Sequence, residues 1–477
     1  MSLLSPDSQI TEVDDPKLVV TALRRELTAL RSMGGEQVTP IERVAVRTVR
    51  LDPLLWLASQ YGSDGGDGEA GTVSTQQVYW ASRNGDYAVA GLGVVDEVSG
   101  DRFEELTALR QRIATISPGV RYYGGLRFDD EAAVSTEWSA FGGFRFVLPR
   151  IEVESHADWT EIRVTVRPDS EEDVRAAIRE VDALTFEDLS ISVAPISPVY
   201  REDLPDLAGW TRNIEWSLDA FSRTRLGKIV LARRATFGFS SVVDPAELLS
   251  RLRGATSNCY HFLFNSPDGS AFVGASPERL FKLSGSSIWS EAVAGTRPRG
   301  ATEGDDDQLR DELLLSEKDQ REHQFVRQSI KDTLAGMCSE LEVDVRPSEM
   351  KLARGRHLVS RVRGELAPEF DAIDLVTALH PTPAVGGHPT PDAVRAIARL
   401  EPFDRGWYAS PVGWVAADGA EFAVGIRSGL VHGKRLSLYS GAGIVGGSTP
   451  ESEWAEIENK ILDFISVFDS DEPSGLQ

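Results

Sequence analysis

Two acidic residues near the middle of the chain have the type and spacing to bind a cation. In the stretch SEKDQREHQFVRQSI, helical periodicity places Asp319 and Glu322 on the same face as Leu315, Val326 and Ile330. A buried ionised carboxylate is costly unless another group pairs with it. These two acids are therefore predicted to face a cation or a polar ligand.

A second acidic pair repeats the spacing in the last helical segment, PESEWAEIENKILDFISVF. Glu453 extends an apolar stripe by one turn, and Glu456 lies at its edge. Four carboxylates facing one another would repel, and Mg²⁺ would relieve this because it accepts a few carboxylates together with water and ligand oxygens. The alternative is that each pair lies on the surface, with Arg321 and Lys460 as partners.

Two further groups have the chemistry for proton transfer. Lys228 precedes the apolar strand signal IVLARRATFGF, where it is either a solvent-facing charge at the strand end or a buried amine that can act as a general base. Glu278, in GASPERLFKL, is either a general acid or a loop carboxylate bonded to Arg279. The glycines of SGAGIVGG (440–447) either admit an anion close to the backbone or simply turn the chain.

The bulk composition narrows the class of protein. A chain of 477 residues, 41% hydrophobic and 26% charged, is typical of a globular protein with one large domain or two smaller ones. Its formal net charge of −24 argues against binding to nucleic acid or to an anionic membrane. Two cysteines, no visible signal peptide and no long apolar run indicate a cytoplasmic protein without a disulfide framework.

The elements that must position these groups follow from the hydrophobic patterns. Short strands joined by tight turns favour antiparallel sheets with helices packed outside. Strands are predicted in KIVLARRATFGF, YHFLFN, SAFVGAS, RLFKLSG, SIWSEAVAG, HLVSRVRGEL and the region after ASPVGWV. Helices are predicted in PKLVVTALRRELTALRSM, EWSLDAFSRTRLG and DPAELLSRLRG, at about 306–336, 371–380 and 391–400, and from Pro450; a flexible loop is predicted at 62–71.

Nine segments, taken in order, resemble those of the chorismate-utilising enzymes, a family that includes isochorismate synthase, salicylate synthase, anthranilate synthase component I and aminodeoxychorismate synthase. They are KIVLARR, GASPERLFKL, EAVAGTRPRG, SEKDQREH, RHLVSRVRG, HPTPAVGGHP, DRGWYASPVGW, AVGIRSGLV and YSGAGIVGGSTPESEWAEIENK, and they cover roughly residues 210–465. The resemblance implies a single large α/β (α+β) domain with two antiparallel β-sheets forming the core and helices outside. It divides the chain into a disordered tail (1–15), a diverged N-terminal part (16–205), a chorismate-binding catalytic region (206–468) and a second tail (469–477).

The same resemblance implies roles for individual residues. Glu322 and Glu456 match direct Mg²⁺ ligands, and Asp319 and Glu453 match their water-mediated partners. Substrate-binding positions are matched by Gly295, Thr296, His357, Ala384, Tyr408, Arg427, Gly441, Ala442, Gly443 and Lys460. Arg427 is the natural partner of a carboxylate because its planar fork can bind one in bidentate fashion.

Three positions favour one member of the family. Anthranilate synthases have Gln where Lys228 stands, aminodeoxychorismate synthases often have Lys where Ala294 stands, and salicylate synthases typically have Thr where Ala384 stands. The resemblance therefore implies an isochorismate synthase, in which Lys228 activates water for attack at C2 of chorismate and Glu278 protonates the departing C4 hydroxyl. A salicylate synthase and a non-catalytic relative are the alternatives. No amidotransferase subunit is expected, and the residues do not choose between menaquinone and siderophore pathways.

Overall fold

The computed structural model describes residues 10–30, 41–60, 76–186 and 196–468. Its helices are α1 (Val19–Leu30), α2 (Pro53–Ser59), α3 (Thr107–Ile113), α4 (Glu171–Asp182), α5 (Leu207–Arg223), α6 (Pro245–Ala255), α7 (Glu303–Leu315), α8 (Glu317–Ala335), α9 (Ala372–Leu379), α10 (Thr390–Leu400) and α11 (Pro450–Ile465). Its strands are β1 (Thr11–Val13), β2 (Glu42–Val49), β3 (Gln77–Ala81), β4 (Ala88–Gly100), β5 (Tyr122–Leu126), β6 (Phe144–Ser155), β7 (Trp159–Val166), β8 (Pro198–Leu204), β9 (Lys228–Phe239), β10 (Tyr260–Asn265), β11 (Ala271–Ser276), β12 (Arg279–Ser284), β13 (Ser287–Pro298), β14 (Cys338–Val343), β15 (Ser348–Lys351), β16 (Gly355–Leu366), β17 (Gly387–His388), β18 (Pro411–Ala416), β19 (Gly419–Val424), β20 (Ser428–His432) and β21 (Arg435–Ile444).

The strands form two antiparallel sheets that share strands and so make one continuous network. One sheet runs β1, β2, β7, β6, β4, β3, β10, β11, β20, β21, β9 and β8. The other continues from β6 through β5, β18, β19, β12, β13 and β16. Among the described residues only β1 and β2 pair in parallel. The predicted fold class, a single α+β domain built on antiparallel sheets with helices outside, is confirmed.

Two hydrophobic cores flank the sheets. The first holds aromatic side chains such as Phe262, Phe281 and Phe422. The second lies beneath helices α1, α2, α4 and α6, and its fully buried members include Trp56 and Leu249. Each core takes side chains from both sides of residue 205, so the N-terminal part completes the same domain.

The long helix predicted at about 306–336 is two helices, and the sequence prediction was wrong on this point. The chain leaves helical geometry at Ser316, whose backbone is extended and whose Oγ accepts a hydrogen bond from the Asp319 N–H. This N-cap starts α8 in a new direction. Leu315, predicted to lie on the inward face, is 80% exposed as a result.

The chain termini require one correction. Thr11–Val13 forms strand β1 against β2, although the sequence placed residues 1–15 in a disordered tail. Residues 1–9, the loop predicted at 62–71 and the tail at 469–477 lie outside the described residues. Within the described part of the chain, no helix is long and apolar enough to cross a membrane. Both cysteines are free thiols.

Candidate active site

Most of the site residues predicted from the sequence line one cavity. It has a volume of about 90 Å³ and is lined from strands β9, β13, β16 and β21 and from helices α8 and α11. The predicted residues among its walls are Glu278, Gly295, Thr296, Glu322, His357, Ala384, Tyr408, Arg427, Gly441, Gly443, Glu456 and Lys460. Segments scattered over more than 180 positions of the sequence therefore converge on one point of the fold.

Four predicted residues do not line the cavity. Lys228 is 0% exposed and contacts Glu322. Asp319 and Glu453 are buried at the starts of their helices. Ala442 alternates with its glycine neighbours along β21, and its side chain packs in the first core instead of facing the cavity.

The lysine that opens β9 is held against a carboxylate from α8. Lys228 Nζ lies 3.0 Å from Glu322 Oε1, but no group in the described chain is aligned to accept a hydrogen bond from it. Gly443 makes the arrangement possible, because a Cβ there would lie 2.4 Å from Glu322 Oε1 and 3.1 Å from Lys228 Cε. No hydrogen bond from the described chain therefore fixes the direction of this buried amine.

The second proton-transfer candidate, Glu278, is a buried carboxylic acid. It is 5% exposed, in the short connection between β11 and β12. Burial and then the charge of Glu291 raise the pKa of Glu278 to about 8, against the opposing effects of Lys228 and Lys460. The group thus holds its proton near neutral pH, which is the state a general acid needs.

Each of the four acids predicted to surround a metal has its own basic partner. The pairs are Lys228–Glu322 at 3.0 Å, Lys460–Glu456 at 2.7 Å, Lys318–Glu453 at 3.0 Å and Arg297–Asp319 at 2.7 Å. The repulsion among the four acids is therefore relieved by basic side chains in this structure. In the described residues, no three His, Cys, Asp or Glu side chains are gathered closely enough to hold a metal as they stand.

The chemistry of the donor set nevertheless fits a hard cation. Glu322 and Glu456, from α8 and α11, both line the cavity. Burial and then the charge of Glu456 raise the pKa of Glu453, so these two acids lie close enough to repel. Burial alone would lower the pKa of Lys318, but Glu453, Glu322 and Glu456 raise it, which places this ammonium among three of the acids. The site thus already favours a positive charge, and its oxygen donors suit Mg²⁺.

Basic and neutral side chains also line the cavity. Arg427 Nη1 donates to Asp463 Oδ2 at 2.8 Å, and its backbone has a φ of +49°, a conformation that non-glycine residues rarely adopt. Lys460 Nζ donates to the Gly441 carbonyl at 2.8 Å. Burial lowers the pKa of His357 to about 4, so its imidazole is neutral. Its Nδ1 lies 3.0 Å from the Gly295 carbonyl oxygen, which leaves Nε2 as an acceptor.

The sequence analysis missed several groups that shape the site. Each of these groups forms an ion pair with a predicted site residue or shifts its pKa. They are Glu291, Lys318, Arg297 and Asp463. Lys318 and Arg297 stand inside the motifs SEKDQREH and AGTRPRG. Their position beside predicted ligands was the available signal, although their partners across the fold could not be read from spacing.

Comparison with known proteins gives the family. The family described as chorismate binding enzyme matches residues 44–469. Isochorismate synthase 2, chloroplastic, of Arabidopsis thaliana is 36% identical over 406 residues, which cover 80% of this chain and 71% of that protein. Isochorismate synthase MenF of Escherichia coli strain K12 is 33% identical over 418 residues, which cover 86% of this chain and 89% of that protein.

A solved structure agrees with the sequence relatives. The structure described as MenF, the menaquinone-specific isochorismate synthase from Escherichia coli, matches with a TM-score of 0.80 at 30% identity, covering 94% of this chain and 100% of that one. The chain belongs to the chorismate-binding enzyme family and, within it, to the isochorismate synthases.

Proposed function

We propose that the cavity converts chorismate into isochorismate with water as the nucleophile, Lys228 as general base and Glu278 as general acid. The observation that carries this assignment is Glu278, a buried carboxyl whose pKa of about 8 keeps it protonated, in the same site as a fully buried lysine. Lys228 in this position also favours water over ammonia as the nucleophile. The two groups supply the two proton transfers that the reaction needs.

The proton inventory of the reaction balances. Lys228, in its neutral form, accepts a proton from the water molecule whose oxygen bonds to C2 of the ring. Both conjugated ring double bonds shift as the C4–O bond breaks, and Glu278 donates its proton to the departing hydroxyl, which leaves as water. One water molecule is added and one is lost, so the product is an isomer of the substrate, and the proton gained by Lys228 must return to Glu278 before the next turnover. Lys228 Nζ contacts Glu322, which lines the cavity, so the amine stands next to the space where water would enter.

Substrate binding is assigned to the basic and neutral side chains that line the cavity. We expect Arg427 to pair with the enolpyruvyl carboxylate of chorismate, Lys460 to contact the substrate, and neutral His357 to accept a hydrogen bond from a ring hydroxyl. A cavity of about 90 Å³ is smaller than the roughly 300 Å³ or more typical of ligand sites. We expect these side chains to move apart when the substrate enters.

Glu322 and Glu456 would hold a magnesium ion directly, with Asp319 and Glu453 acting through water. When bound, the ion supplies positive charge for the ring carboxylate and fixes the orientation of the ring. On binding the ion, the four acids would exchange their present basic partners for the metal or its water. These partners are Lys228, Lys460, Lys318 and Arg297.

The product and the cellular role are part of the same proposal. Ala384 in the cavity wall favours release of isochorismate over onward elimination of pyruvate. The similarity to a menaquinone-specific structure favours supply of a quinone pathway over a siderophore pathway. We propose that the enzyme acts in the cytoplasm and needs no amidotransferase subunit.

A product assay tests the proposal. The purified chain is incubated with chorismate and Mg²⁺, without ammonia or a second protein, and products are identified by chromatography and mass. Isochorismate, abolished by EDTA, is the expected result. Salicylate with pyruvate would overturn the argument from Ala384, and no reaction would point to a non-catalytic relative.

A further inference from the structure

Arg83, in the N-terminal part of the chain, contacts residues of the active site. Arg83 lies in the turn between β3 and β4, which is held by hydrogen bonds from Gly85 N to the Ser82 carbonyl at 3.0 Å and from Ser82 N to the Tyr87 carbonyl at 3.1 Å. Its side chain is 14% exposed and extends into the region beside Glu278. No other part of the proposed mechanism draws on residues before position 200.

The guanidinium of Arg83 has three hydrogen-bond partners, which are Pro277, Glu291 and, at 3.8 Å, the sulfur of Met350. Its Nη1 donates to the Pro277 carbonyl at 2.9 Å, and Pro277 both lines the cavity and directly precedes Glu278. Nη1 and Nη2 also donate to the two carboxylate oxygens of Glu291, at 3.0 and 2.6 Å. Such a bidentate fork fixes the direction as well as the distance of its partner.

These contacts complete the support around Glu278. The Glu278 N–H donates to Ser276 Oγ at 3.2 Å, and its carbonyl accepts from Val424 N at 3.0 Å. Arg83 holds the peptide unit on the N-terminal side of the same residue. The backbone of the general acid is therefore fastened from three directions, one of which comes from the N-terminal part of the fold.

We propose that Arg83 is a positioning residue for the reaction, which holds the Pro277–Glu278 peptide and the Glu291 carboxylate in fixed relation to the cavity. The inference rests on the proposed function, because it assigns Arg83 a role through Glu278. It is supported by the electrostatics: the charges that face Glu278 are Glu291, Lys228 and Lys460, and Glu291 follows burial in raising its pKa. Arg83 sets the position of that charge together with Arg279, whose Nη1 lies 3.4 Å from Glu291 Oε1.

The test compares Arg83→Met with a matched control, Arg150→Met. Arg150 makes the same kind of contacts away from the site, with a fork to Asp173 at 2.8 and 2.5 Å and a bond to the Thr165 carbonyl at 2.7 Å. For each variant, kcat and KM for chorismate and the thermal midpoint are measured. We expect Arg83→Met to lower kcat roughly tenfold to a hundredfold, as small misplacements of catalytic groups do, while KM changes by less than about threefold. Arg150→Met should lower the thermal midpoint and leave kcat near the wild-type value.

The outcomes separate this inference from the proposed function. An Arg83→Met enzyme with wild-type kcat, or an equal loss of kcat in Arg150→Met, would overturn the positioning role. If Arg83→Met does not fold, Arg83→Lys decides: one ammonium can reach either partner but cannot form the fork, so an intermediate kcat is expected, and wild-type kcat refutes the inference. A wild-type protein that makes no isochorismate would instead refute the proposed function.

Discussion

Replacing Glu278 with Gln should make the protein more stable while it abolishes turnover. The carboxyl is almost fully buried, and its pKa is raised from 4.5 to about 8. Between these two values the folded protein keeps a proton that the unfolded chain gives up. The free energy of unfolding of the wild type therefore falls as the pH rises through this window. A Gln side chain has the same shape and no such dependence.

The size of the effect follows from the shift in pKa. Within the window, the wild type loses about 1.4 kcal/mol of stability for each pH unit, because folding retains one proton. The variant should therefore gain about 3 kcal/mol over the wild type between pH 5 and pH 7. Only the change with pH is used, so other effects of the substitution cancel.

Urea denaturation of both proteins at several values from pH 5 to pH 8 measures this difference. Glu154→Gln provides a control of opposite sign, because Arg121 and Arg163 outweigh the effect of burial and lower the pKa of Glu154 to about 2. That variant should be less stable than the wild type throughout this range, which is the opposite sign to Glu278→Gln. A pH-independent difference between Glu278→Gln and the wild type would refute a neutral, buried Glu278.

Four further predictions follow from the same site. The value of kcat/KM should fall as the pH rises above about 8, because Glu278 then loses its proton, and a flat pH profile would contradict this assignment. Lys228→Gln should lower kcat by roughly 10²- to 10⁴-fold with the dissociation constant for chorismate little changed, measured by kinetics and by calorimetry; unchanged turnover would refute the role as base. Gly443→Ala should impair turnover because its Cβ lies 2.4 Å from Glu322 Oε1 and 3.1 Å from Lys228 Cε, so that both side chains must shift, whereas Gly446→Ala, with nothing within 4 Å, should be silent; equal activity in the two variants would refute the argument. Glu456→Gln should raise the Mg²⁺ concentration needed for half-maximal activity and weaken Mg²⁺ binding measured by calorimetry without substrate, and identical metal affinity would remove this residue from the ligand set.

The sequence predicted much of the catalytic half of the fold because local signals there are strong. Strand β9 begins at Lys228 and ends at Phe239, as the apolar run indicated. Helix α6 begins after Asp244, whose side chain caps it by accepting hydrogen bonds from two backbone N–H groups. The break at Ser316 was missed because helical periodicity runs across it, and only the cap geometry distinguishes two helices from one.

The partners of the site residues could not be predicted in the same way. Spacing indicated that Asp319 and Glu322 share a helix face, but not that Arg297 and Lys228 would neutralise them. Such pairs join residues that lie close in space and far apart in the chain. Arg83 belongs to no motif, and only the fold brings it to Pro277.

The source of the new hydroxyl group tests the central claim most directly. The purified enzyme is incubated with chorismate and Mg²⁺ in water enriched in ¹⁸O, and isochorismate is isolated and analysed by mass. If Lys228 activates water for attack at C2 while Glu278 releases the C4 hydroxyl, the product carries one ¹⁸O atom, in its C2 hydroxyl. Isochorismate without ¹⁸O would mean that the hydroxyl moves within the substrate, and this result would contradict the account.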